Sequence, residues 1–133
     1  MEKFNAWLNL VGRVLYGGFF VYNGINHFIN LGMLTGYAQS KGVPAPQLAV
    51  ILAGLMMLVG GVMILVGWKV RVGAWLIILF LLPTSFMIHN FWAISDPNMR
   101  MSDMINFSKN MALLGAALIM MIQGPWPIAV EKS

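Results

Sequence analysis

Apolar residues in this chain fall in long unbroken runs, separated by short stretches where polar side chains gather. A strand would alternate, and a barrel would break into segments of about ten residues; neither pattern is present. The clearest run, Leu48–Gly67, is uncharged and closes on Trp68, Lys69 and Arg71, residues that suit a membrane–water boundary. The next, Val72–Trp92, follows after so short a connection that the two must be antiparallel neighbours. The first run, Ala6–Phe28, has to include Arg13, because the uncharged remainder from Val14 is too short to cross about 30 Å of hydrocarbon. The last, Met104–Gly124, takes in Lys109 and stops at Pro125 and Pro127. Each run supplies the roughly 20 residues a spanning helix needs. The expected fold is all-α: one domain over 1–133, an integral membrane four-helix bundle. The linker LGMLTGYAQSKGVPAPQ is too polar and too rich in Gly and Pro to stay in hydrocarbon. A short interfacial helix is expected there around Met33–Ser40, before Pro46 opens the second span.

Composition agrees: 59% of the 133 residues are hydrophobic and 9% charged, the reverse of a water-soluble domain. The net charge of +4 is scattered, with no basic stripe of the kind nucleic acid requires. Four spans put Lys3, Lys69, Arg71 and Lys132 on one side and Lys41 and Arg100 on the other, with Lys109 near that boundary. The positive-inside rule then favours both termini in the cytoplasm. The N-terminal run is interrupted by Arg13 and shows no small-residue cleavage site, so it reads as a retained helix. With no cysteine the chain cannot form a disulfide, ligate an iron–sulfur cluster through thiolates or run dithiol exchange; any redox role needs a borrowed cofactor or partner.

The candidate chemistry gathers between Phe86 and Asn110 and at the end of the first helix. Arg13, Tyr16, Phe20, Asn23 and His27 recur at steps of three or four and so share a stripe, with Asn26 and Asn30 beside its outer end. Two roles are open to Arg13. It can snorkel to the headgroups, or it can cap the Leu79 carbonyl, which Pro83 leaves without a backbone donor. Helix direction brings Asn23, Asn26 and His27, then His89 and Asn90, then Asn106, Lys109 and Asn110 to one leaflet. The expectation is a polar pocket in the outer half of the bundle, lined by these eight residues. The plainer alternative is that they mark the water boundary, where such residues are common. Two histidines without an intramembrane carboxylate are a thin ligand set, so neither haem nor metal is expected. Hydrogen bonding to a quinone carbonyl, or gating of a small anion near Lys109 and Arg100, suits them better. The many methionines read as soft core filler.

RVLYGGFFVYNGINHF, then GVPAP before LAVILAGLMMLVGGVMILVG, then HNFW with the Asp96 loop, then NFSKNMALLGAAL, resemble the DoxX family of small bacterial and archaeal membrane proteins over nearly the whole length. The resemblance implies a four-helix inner-membrane protein, linked through other members to quinol oxidase and thiosulfate:quinone oxidoreductase subunits and to thiol or oxidative stress defence. Similar members often carry a glutamate a few residues ahead of the Gly-Gly pair in the second helix; here that position is Met57, which weakens any mechanism needing an intramembrane carboxylate. The leading expectation is a quinone-linked or redox-associated membrane subunit, at most one subunit of an oxidoreductase, working with a redox partner protein. Two alternatives stand beside it: a non-catalytic accessory protein that binds a partner or lipid, and a small-solute carrier, disfavoured by the lack of an inverted repeat. The glycine-rich helices make a homo-oligomer reasonable.

Overall fold

A computed structural model describes residues 1–130. Five α-helices and one 3-10 turn follow one another: α1 Glu2–Ile29, α2 Leu31–Ser40, α3 Pro46–Val66, α4 Val70–Met87, the turn Phe91–Ala93, and α5 Pro97–Ile122. No strand occurs among the described residues. The fold is all-α, with five helices instead of four because the polar linker after α1 folds too; α2 is the short helix anticipated there. Three segments are long and apolar enough to cross a membrane: α3, α4 with its following turn, and α5. α1 has the length, at 28 residues, but not the same apolar density.

Two boundaries differ most from the hydropathy pattern. α5 begins at Pro97 and not at Met104, because the Asp96 side chain caps it, accepting from the Asn98 N–H at 3.0 Å, while Pro97 takes the first helical position. Arg100 and Asp103, expected in a loop, are thereby wound into helix. α4 stops at Met87, so His89 and Asn90 sit just past its end and the chain there is free to turn their side chains inward.

Close helix contact is set by glycines. A Cβ on Gly17 of α1 would lie 2.5 Å from the Gly61 carbonyl oxygen of α3, and one on Gly24 would lie 2.9 Å from the Leu58 nitrogen. α1 and α3 are therefore zipped along most of their shared length. α3 and α4 are pinned at one level, where a Cβ on Gly60 would meet the Gly73 carbonyl oxygen at 2.9 Å. α4 packs on α5, but no Cα of α1 comes within 8 Å of a Cα of α5. Side chains bridge that gap: Tyr16 donates to the Leu113 carbonyl at 2.6 Å, and the Lys109 ammonium stands 5.5 Å from the centre of the Phe19 ring. Phe20, Met57, Ile64, Ile77 and Leu81 fill the middle, none more than 1% exposed.

Arg13 takes neither of the roles open to it in the sequence. It is 2% exposed, so it does not snorkel, and Leu79 is 53% exposed on the outer surface. Its Nε donates to the Asn9 side chain at 2.8 Å, and its Nη2 donates to the carbonyls of Pro127 and Ile128 at 2.5 and 2.7 Å. The misjudgement was of depth. Because Gly17 faces Gly61, Arg13 is level with Leu65 at the end of α3, beside Gly67, far from Leu79. The segment after α5 folds back to meet it, and the Val130 N–H donates to the Val66 carbonyl at 2.9 Å. The start of α1, the α3–α4 turn and the C-terminal segment thus share one end of the bundle. Lys132, counted on that end in the charge argument, lies outside the described residues.

Candidate functional site

The other end, where α1 and α4 finish and α3 and α5 begin, holds a cavity of about 400 Å³. It exists because the α3–α4 pin at Gly60 and Gly73 is not repeated toward this end. The floor is apolar, made of Phe20, Met57 and Phe80, and α2 covers the mouth with Leu34, Tyr37 and Ala38. Of the eight residues expected to line a pocket, Asn23, His27, His89, Lys109 and Asn110 are on its wall. Asn26, Asn90 and Asn106 are not: Asn26 accepts from the Asn30 amide at 2.5 Å, and Asn90 accepts from the Lys41 ammonium at 3.3 Å. Pro83, expected to act through the Leu79 carbonyl, instead lines the cavity from an exposed position.

The polar wall has a definite hydrogen-bonding state. His27 Nδ1 is 3.0 Å from the Asn23 carbonyl oxygen, which can only accept, so the ring donates through Nδ1 and keeps Nε2 as an acceptor when neutral. The Asn23 amide is itself committed to the Phe19 carbonyl at 2.7 Å. His89 Nδ1 lies 3.1 Å from Asp103 Oδ1, and the other carboxylate oxygen lies 3.4 Å from the Lys41 ammonium. A carboxylate behind an imidazole fixes its tautomer and orientation, leaving Nε2 as the ring's free hydrogen-bonding atom. Asn110 differs from both histidines. It is 4% exposed and lines the cavity, and its side chain makes no hydrogen bond to any described residue. Its amide opens to the chamber, with two donors and an acceptor left for a molecule held there.

Asp103 and Lys41 were not among the expected site residues. A signal for Asp103 was present: Asp96-Pro97 is a helix start, and a helix from Pro97 places Asp103 two turns before Asn110 on one face. Nothing in the sequence marks Lys41, which reaches Asp103 because α2 folds over the cavity. The pair also alters the weight of Met57. That residue is 1% exposed in the cavity floor, and the carboxylate its position lacks is supplied behind His89 from α5.

No solved structure matches the chain. The "Inner membrane protein YphA" of Escherichia coli (strain K12) is 30% identical over 125 residues, 94% of this chain and 89% of that protein. The DoxX family model matches residues 8–90, from α1 through the end of α4 and thus across most of the cavity wall. With that match over more than half of its length, the chain belongs to the DoxX family.

Proposed function

We propose that this DoxX-family protein sits in the inner membrane and holds an amphiphilic molecule of the quinone type in the cavity, serving as a quinone-linked membrane subunit. The observation that carries the reading is Asn110: a buried amide without a protein partner, set with His89, His27 and Lys109 at one end of an otherwise apolar chamber. A ring carbonyl accepts from an amide or imidazolium donor, and the ring faces and substituents favour apolar walls. The volume lies within the range of about 300–1,000 Å³ usual for small-molecule sites. His89, held by Asp103, whose other oxygen faces Lys41, is the group best placed to exchange a proton with such a ligand. The chain has no thiol of its own to carry electrons, so a redox role requires a partner protein.

Lys3, Lys69 and Arg71 lie at the end that holds Arg13, against Lys41 and Arg100 at the cavity end, which favours cytoplasmic termini and a cavity in the outer leaflet. Single cysteines introduced at Ser40 and Trp68 test this in a chain free of native thiols. An impermeant thiol reagent applied to whole cells should label position 40 and spare position 68. Quinone extracted from the purified protein tests the ligand itself. It should accompany the wild type and be depleted from Asn110→Leu and His89→Ala; equal amounts in all three, or none in the wild type, would remove the reading.

A further inference from the structure

The cavity wall is not closed on every side. Leu52, Leu79, Pro83 and Met87 line it and are also exposed on the outer surface of the bundle. Leu79, Pro83 and Met87 are four residues apart, so they form one stripe along α4. Counting the same number of residues back along α3 from Gly60 and forward along α4 from Gly73 sets Leu52 level with Leu81, between Leu79 and Pro83 in depth. The four residues therefore border one opening between α3 and α4, in the part where the glycine pin has ended. All four are apolar, and the opening faces the zone where lipid chains would lie.

The other approaches are narrower or more polar. Toward water, α2 lies across the mouth, and Lys41 ties it to Asp103 and Asn90. Between α1 and α5, Phe19 and Lys109 line the cavity and are also exposed, but their contact and the Tyr16–Leu113 hydrogen bond narrow the gap, and the Lys109 charge suits it poorly to an apolar tail. On the far side, α1 and α3 are zipped by glycine. A chamber of about 400 Å³ can take a ring and a short chain but not a long tail as well.

Resting on the reading of the cavity as an amphiphile site, we infer that the ligand enters sideways from the bilayer through the α3–α4 opening, and that its tail stays in that opening against Leu52, Leu79, Pro83 and Met87. The ligand class is thereby narrowed to a lipid-soluble molecule with a compact polar head and a flexible apolar tail. The polar head lies at His89 and Asn110, and tail length beyond the chamber is tolerated because the excess lies in lipid.

The test uses the full chain in lipid nanodiscs and two probes: a methylated dimethoxybenzoquinone without a tail, and the same ring with a decyl tail. Leu79→Trp and Leu52→Trp fill the opening from exposed positions; Leu118→Trp, exposed on α5 away from the cavity, is the control. The tailed probe should bind the two plugged variants about tenfold or more weaker than wild type, a loss of about 1.4 kcal/mol or more. The tailless ring should bind all four proteins within about twofold. Unchanged binding of the tailed probe to the plugged variants would overturn the sideways route while leaving the site in place. Loss of both probes from both plugged variants would assign those side chains to the head pocket, and also overturn it. Failure of the wild type to bind either probe would end the underlying reading and the route together.

Discussion

The two ends of the bundle are built from the same four long helices by opposite means. At the end that holds Arg13, backbones touch: Gly17 meets Gly61, Gly60 meets Gly73, and the buried guanidinium gathers two carbonyls of the C-terminal segment. At the other end no glycine contact holds α3 to α4, and the space is lined by His27, His89 and Asn110. A small helical membrane protein has little hydrophobic drive between its helices, so close backbone packing and buried polar ties must supply cohesion. The α1–α3 zipper continues to the cavity end at Gly24, but the α3–α4 glycine contact does not, and that seam is left free to be hollow. On the proposed function, stability and ligand chemistry are separated along the axis, and substitutions should sort by the end they touch.

The largest effect is expected from Gly61→Leu. Its Cβ alone would fall 2.7 Å from the Gly17 carbonyl, so α1 and α3 must part, at a cost of about 3 kcal/mol or more and loss of a monodisperse protein in detergent. Next comes Arg13→Met, which leaves the Pro127 and Ile128 carbonyls without their donor. About 2–3 kcal/mol should be lost in a denaturation series, and protease should reach the C-terminal segment, while quinone retained by the surviving folded protein stays as in wild type. Asp103→Asn inverts that pattern: about 1–2 kcal/mol of stability, since an amide still fills the site, but a changed His89 tautomer seen by nitrogen NMR and weakened retention of quinone. Leu118→Ala, on the exposed face of α5, should stay within about 0.5 kcal/mol and leave the ligand untouched. A large stability loss from Asp103→Asn, or a ligand effect from Arg13→Met, would blur the separation of the two ends.

How far the sequence revealed this division varies with the kind of interaction. The α3–α4 hairpin is legible because an uncharged run, a boundary cluster at Trp68, Lys69 and Arg71, and a second apolar run leave one arrangement. The convergence of His27, His89 and Asn110 is legible from helix direction alone. The partners of Arg13 are not, since Pro125 and Pro127 announce only where α5 stops and say nothing of where the chain goes next. Depth was misjudged for the same residue because the level of one helix against another is set by glycine-to-glycine contact, which hydropathy does not register. Asp103 was hidden by its charged neighbours Asp96 and Arg100, which made a capped helix start look like a loop. Lys41 acts across 62 positions of sequence through the fold of α2, and no local pattern encodes that reach.

The most direct test is a crystal structure of the protein purified from its membrane in mild detergent, at a resolution that separates ordered water from a bound chain. The account predicts one elongated feature, its compact end within hydrogen-bonding distance of Asn110 and His89 and its thin end leaving between Leu52 and Pro83. Isolated water peaks bridging Asn110 to its neighbours, or side chains collapsed to fill the space, would contradict it.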